Sequence, residues 1–290
     1  MQMKYHIHDN GWTVILDDFK FSTATQQDIN EIAKLLATNT LVVAHNQDDM
    51  TTEDELRVAH MFGNPGVLND PAVYGPSVSR YNVDPDGFIT RVSGRKDEQG
   101  DEIGIVGYEN EMTWHSNEPF LTTRRPLVWL RALGGSEGSV TSYNNNIMAY
   151  NDLDQELKDF LKDKKLKMKG EFTLENPTDD LILFVEEGNL KEHTPDVIHT
   201  NIAGKTGLYF PWVYIHNFVG VTVEDTKKIV EPLARHVTQE KYIYHHNWKD
   251  GDVVIGEQWL GLHKRGKFKG IWDRLLHRMN FHFPEQDYTS

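Results

Sequence analysis

Short apolar runs cut by turns fill the second half of this 290-residue chain, and that rhythm limits its fold more than any other feature. Residues 126–132 (PLVWLRA), 140–143, 181–185, 207–210, 242–246, 253–255 and 275–283 each read as a strand, and Gly134, Gly135 and Gly138 mark turns after the first of them. The run that begins at Val253 continues as VVIGEQWLGLH, so His263 is expected to end a strand-like segment that follows the turn at 249–252. Many short strands with helices packed outside suit a double-sheet jelly roll better than a parallel α/β sheet. The expected fold is mainly β with flanking helices around a jelly-roll core.

Residues 1–65 open the chain differently, as an α/β segment. A strand is expected within 12–19 (WTVILDDF), followed over 24–36 by Ile29, Ile32, Leu35 and Leu36 at helical spacing, and then by a short buried strand, Leu41-Val42-Val43-Ala44. Thr52 and Glu55 read as a capping box for a helix through Leu56, Val58, Ala59 and Phe62, stopped by Gly63-Asn64-Pro65. The Gly-, Pro-, Asn- and Asp-rich stretch 65–112 predicts loops and short strands, with 96–102 a solvated turn. One amphipathic helix is expected over 145–161, with 162–169 as its solvated end. Another helix is expected over 223–237, capped by Thr222 and kinked or divided at Pro232. No repeat or linker interrupts the chain, so residues 1–290 are expected to form one domain, the N-terminal part packing on the jelly roll.

The chain has no cysteine, which excludes disulfides, thiolate nucleophiles, zinc fingers and iron–sulfur clusters together. Any metal must sit on histidine and oxygen ligands. A formal charge of −14 opposes phosphate backbones and anionic membrane surfaces, so no nucleic-acid or membrane partner is expected. A local basic patch such as His263-Lys264-Arg265 could still receive an anion. No apolar run is long enough to cross a membrane, and the start MQMKYHIHDN lacks the basic-then-apolar pattern of a signal peptide, which predicts a cytoplasmic protein.

The chemistry centres on YENEMTWHSNEPF, from Tyr108 to Phe120. Residues two apart on a strand share a face, so His115 and Asn117 look into one space while Ser116 and Glu118 look the other way. A histidine and a carboxylate on one face, completed by a distant histidine, hold Fe(II) on three corners and leave three open. Here the carboxylate position holds an amide. His263, His199, His245 and His246 all compete for the distant place, and spacing alone does not choose among them. Arg278 lies in the mostly apolar LLHRMNF, where a buried guanidinium needs an anionic partner, either a protein carboxylate or a bound dicarboxylate.

Four blocks in order carry a resemblance: RVSGRKDEQGDEIGIVGYENEMTWHSNEPF, ALGGSEGSVTSYNNNIMAYNDL, TPDVIHTNIAGKTGLYF and WKDGDVVIGEQWLGLHKRGKFKGIWDRLLHRMNF. Together, over about residues 88–283, they resemble the taurine dioxygenase (TauD/TfdA-like) family of Fe(II)- and 2-oxoglutarate-dependent oxygenases. The resemblance implies a double-stranded β-helix (cupin-like) core, a small-molecule substrate, O2 as co-reactant, and a homo-oligomer, as related enzymes often are. It makes His115 the first iron ligand, Asn117 the occupant of the second ligand position and His263 the distal ligand. Arg278 would grip the far carboxylate of 2-oxoglutarate, and Thr141 would support it.

Two departures qualify what the resemblance implies. The family has aspartate where this chain has Asn117, a neutral and weaker ligand. It also tends to have Asp-Asn-Arg where this chain has GEQW at 256–259. Three functions therefore stand: a hydroxylating oxygenase, a catalytically silent relative that binds 2-oxoglutarate or another small molecule, and a halogenase-like variant. The last ranks below hydroxylation, because Asn117 is nearly as large as aspartate and leaves no room for chloride. Glu111 and the loops of 65–110 are expected to wall the substrate.

Overall fold

The computed structural model describes residues 3–63, 65–67, 76–117, 119, 125–169 and 193–288. The strand expected at 181–185, and Glu118, lie outside the described residues. The chain opens with a hairpin of β1 (Lys4–Ile7) and β2 (Val14–Asp17), followed by α1 (Gln26–Asn39), β3 (Leu41–Ala44) and α2 (Thr52–Phe62). Both helices begin with a reciprocal capping box, Thr25 with Asp28 and Thr51 with Asp54. The second box lies one residue ahead of the expected Thr52 and Glu55. Thr51 is the residue still in extended conformation, and Glu55 turns into the interior.

The central strands are β4 (Thr90–Ser93), β5 (Met112–His115), β6 (Leu127–Gly134) and β7 (Val140–Asn144). Residues 145–161 form two helices where one was expected, α3 (Asn146–Asn151) and α4 (Gln155–Leu161). Asp154 caps the second by accepting the Leu157 N–H, and the apolar spacing suits either arrangement. Nor is 162–169 a solvated end: β8 (Leu166–Met168) buries Leu166 and Met168. A hairpin of β9 (Ile198–Thr200) and β10 (Thr206–Leu208) precedes β11 (Ile215–Phe218), which pairs with β8. Next, α5 (Val223–Val237) is capped by Thr222 as expected and runs through Pro232 undivided. The chain continues with β12 (Ile243–Asn247), β13 (Val253–Glu257), β14 (His263–Arg265) and β15 (Leu275–Phe281).

Among the described residues a seven-stranded sheet runs β1-β2-β3-β13-β6-β15-β4, and a four-stranded sheet runs β12-β7-β14-β5. From β4 onward the chain passes back and forth between them: β4 and β6 lie in the large sheet, β5, β7 and β12 in the small one, β13 and β15 in the large, β14 in the small. His263 therefore starts a strand of the small sheet and does not end β13, because the chain changes sheets within 258–262. That crossing needs glycine at 261, where a Cβ would stand 2.8 Å from the Glu257 carbonyl oxygen and 3.0 Å from that of Asn144.

Side chains along β6 and β15 alternate between two environments. Trp129, Met279 and Phe281 pack with Ile29, Val58 and Phe62 of α1 and α2. Leu130, Ala132 and Leu276 face the other way, in a cluster with Tyr143 and Trp248 from the side of the small sheet. A further apolar cluster joins α3, α5, β8 and β11 around Trp212, Leu233 and Phe218. No helix among the described residues is long and apolar enough to cross a membrane.

Candidate active site

Between the two sheets lies a cavity of about 230 Å³. The small sheet contributes Met112, His115, Thr141, His263 and Arg265 to its lining, and the large sheet Val92, Val128, Leu130, Leu276 and Arg278. Asn117, Val106, Tyr214 and Arg274 complete it from flanking segments. Among the described residues that line it there is no aspartate or glutamate.

β5 and β14 pair antiparallel with His115 directly opposite His263, and the ring centroids stand 4.2 Å apart at 51°. His115 Nδ1 lies 2.7 Å from the Thr113 carbonyl oxygen, which assigns its proton to Nδ1 and leaves the Nε2 lone pair available. Burial pushes the His115 imidazole down to about 4, against the pull of the Thr113 carbonyl and with help from the charges of Arg278 and Arg265. Burial, with His115 and Arg278 beside it, likewise holds His263 well below the ordinary histidine range. Both rings are neutral near pH 7, the state in which imidazole donates to a metal.

Asn117 is buried and shares the cavity with His115, although β5 ends at His115 and Asn117 lies in a bend beyond it rather than on the expected strand. Its backbone N–H donates to Gln258 Oε1 at 2.8 Å, and Gln258 Nε2 donates to the Arg125 carbonyl oxygen at 2.7 Å. Glu257 Oε1 accepts the backbone N–H of Trp259 at 3.0 Å. The GEQW turn, whose consequence the sequence leaves open, thus fixes the corner that Asn117 occupies. Asn117 Nδ2 is buried and has no hydrogen-bond partner among the described residues. The donors at this corner are two imidazoles and one amide, and among the described residues no three His, Cys, Asp or Glu side chains gather to hold a metal ion. Fe(II) fits the two nitrogens, and the amide oxygen is a neutral, weaker third donor.

Arginines also line the cavity. Arg278 lines the cavity as expected and is half-buried. Arg274, which the sequence reading missed, is 1% exposed, and its Nε and Nη1 meet no hydrogen-bond partner among the described residues. Burial, with the Arg265 charge nearby, pushes its guanidinium down to about 9. A signal was available: positions 274, 276 and 278 are two apart, so extending the strand that carries Arg278 by one residue would have put Arg274 on its face. Thr141 also lines the cavity, its Oγ1 accepting the Trp248 Nε1–H at 2.8 Å, and the Arg274 guanidinium lies over the same indole. Arg265 braces the loop above, donating to the carbonyl oxygens of Val106 at 3.1 Å, Asn110 at 2.7 Å and Tyr108.

The remaining candidates sit elsewhere. Glu111 pairs with Lys264 at 3.0 Å and does not line the cavity; from the described part of 65–110, Val92 and Val106 do. His199 packs edge-on against Trp259, His245 bonds Ser142, and His246 lies 3.1 Å from Asp252, so none of them joins His115.

Comparison with known proteins adds an independent line. Residues 9–280 match the model of the taurine catabolism dioxygenase TauD, TfdA family. The chain is 24% identical to pentalenolactone F synthase of Streptomyces avermitilis over 285 residues, spanning 93% of this chain and 90% of the relative. It is 23% identical to the alpha-ketoglutarate-dependent 2,4-dichlorophenoxyacetate dioxygenase of a Burkholderia species over 201 residues, 68% of this chain and 64% of the other. Among solved structures, a taurine dioxygenase from Burkholderia xenovorans superposes with a TM-score of 0.73 at 18% identity, covering 97% of this chain and 88% of that one. AAD-2 in complex with Mn(II) and N-oxalylglycine superposes with a TM-score of 0.72 at 17% identity, covering 99% and 100%.

Proposed function

The chain belongs to the TauD/TfdA family of 2-oxoglutarate-dependent dioxygenases, and on that premise we propose that it is an Fe(II)-dependent oxygenase that hydroxylates a small organic molecule. The eight strands that pass between the sheets support a double-stranded β-helix, with the α/β N-terminal part packed on it as one domain. Bound Fe(II) supplies the activation of O2 by which a substrate C–H bond, O2 and 2-oxoglutarate become C–OH, succinate and CO2. The protein's part is to hold, orient and neutralise. His115 and His263 present neutral imidazoles to the metal, and Asn117 offers its amide oxygen at the third position.

One observation carries this reading. A buried arginine with unpartnered guanidinium nitrogens and a threonine hydroxyl, both against Trp248, line a cavity whose described lining holds no acid. Such a charge is costly until an anion arrives, and a guanidinium forks onto a carboxylate with two parallel bonds. Arg274 with Thr141 therefore suits the far carboxylate of 2-oxoglutarate better than Arg278, to which the resemblance gave that role. Arg278, whose charge bears on both histidines, suits the carboxylate nearer the metal.

Asn117 supports a second reading, in which the family pocket persists in a catalytically silent binder. Anaerobic titration of Fe(II) into protein with 2-oxoglutarate, followed by the metal-to-keto-acid charge-transfer absorption, separates the two. A band is expected in the protein as it stands, and at least tenfold tighter metal binding in Asn117→Asp, which restores one negative charge. A band in the variant alone would move the assignment to the silent binder; no band in either protein would remove the metal from both. The halogenase-like reading requires that product depend on halide.

A further inference from the structure

Trp248 lies just beyond β12, is buried at 2% exposure, and has no place in the chemistry above. Its Nε1–H donates to Thr141 Oγ1 at 2.8 Å. Its ring lies beneath the Arg274 guanidinium, whose Cζ is 6.0 Å from the ring centroid, and His246 packs edge-on against it at 4.5 Å. The indole is thus fixed by several neighbours while it contacts both Thr141 and Arg274.

An indole nitrogen only donates, whereas a threonine hydroxyl carries one proton and two lone pairs. By donating to Thr141, Trp248 fills one acceptor position of that oxygen and forces the hydroxyl proton to point elsewhere. No acceptor receives that proton among the described residues, and Thr141 lines the cavity. The direction left open to the proton is the cavity, which Thr141 and Arg274 both line.

We propose that Trp248 is a positioning residue that locks the Thr141 hydroxyl as a donor and so pre-organises, with Arg274, a cradle for the distal carboxylate of a keto diacid. The proposal rests on the cosubstrate reading given above. Without the indole N–H, the hydroxyl is free to rotate and meets an incoming carboxylate with its lone pair in part of the population. The cradle would lose selectivity for the carboxylate while the rest of the cavity kept its shape.

The test is calorimetric titration of the Mn(II)-loaded, oxygen-free protein with two ligands, 2-oxoglutarate and 2-oxopentanoate, which differ at the far end by carboxylate against methyl. Trp248→Phe is expected to weaken 2-oxoglutarate about tenfold and leave 2-oxopentanoate unchanged, a split that general loosening of the core would not produce. Thr141→Val is expected to weaken 2-oxoglutarate by roughly ten- to a hundredfold, and adding Trp248→Phe to it should cost nothing more. Equal weakening of both ligands, no weakening of either, or full additivity with Thr141→Val would overturn the proposal. A reading that needs no Trp248 variant comes from the indole N–H resonance, which 2-oxoglutarate should shift in the unmodified protein and not in Thr141→Val; an unmoved resonance also overturns it. An unmodified protein that does not prefer 2-oxoglutarate to 2-oxopentanoate would instead bring down the cosubstrate reading, and this proposal with it.

Discussion

On β15, His277 turns toward the helices and its neighbour Arg278 toward the cavity, and the charges around the two differ in kind. On the helix side Glu55, fully buried, receives His277 Nδ1 at 2.7 Å and lies 3.6 Å from Arg131 Nη1. Arg131 also donates to the carbonyl oxygen of Gln47 at 3.1 Å. On the cavity side Arg274 is equally buried, and no acid lines the space it faces among the described residues. The first set is closed in charge within the chain, though Glu55 Oε1 and Arg131 Nε lack a hydrogen-bond partner among the described residues. On the function proposed above, Arg274 is instead left open toward a ligand from solution. On that reading the difference separates charges that serve the fold from one that serves a ligand.

The comparison can be broken from either side. Replacing Glu55 by glutamine should strand Arg131 in the interior and cost about 3–5 kcal/mol, read as a lowered midpoint in urea; an unchanged midpoint would mean that the closed network does not support the fold. Arg274→Met should act in the opposite sense. Affinity for 2-oxoglutarate should fall roughly a hundredfold, about 2.7 kcal/mol, while stability holds or rises because an uncompensated buried charge is gone. Loss of stability comparable to that of Glu55→Gln would erase the distinction between the two faces.

Acid sharpens the comparison with a smaller effect. His115 is held down to about 4 in the folded protein against an ordinary 6.5. Between those values the unfolded chain binds a proton that the folded chain refuses, so stability falls as pH drops through this window. It is fully retained above 6.5. The slope is up to about 1.4 kcal/mol per pH unit per histidine, with His263 acting in the same direction. Urea midpoints at pH 7, 6 and 5 should show it, and His115→Phe should flatten it.

Much of this was legible because it depends on local periodicity. The strand at Leu41–Ala44 and the helix Val223–Val237 follow from apolar spacing and caps; His115 and Asn117 share the cavity as expected, but through a bend after β5 and not through a continued pleat. What the sequence could not show depends on where a segment changes neighbours. VVIGEQWLGLH has no break in hydrophobicity, yet it passes from one sheet to the other before His263, and only the tight approach at Gly261 records the crossing. The split at Asp154 is invisible to apolar spacing because both halves keep it. Arg274 was passed over because it stands just ahead of the strand that carries Arg278. The competing histidines lost their claim through contacts with residues distant in the chain, which no spacing rule reports.

The pairing of β5 with β14 also bears on how the molecule comes into being. It joins strands near residues 115 and 263, with most of the second half of the chain looped out between them. Closing so long a loop brings its entropic cost before the paired strands return any contact, and topologies dominated by such distant pairings fold slowly. The two imidazoles therefore meet only once β14 has docked against β5. On the function proposed above, a chain in which these strands are apart has no bidentate grip on a metal, so iron loading would report on completed folding.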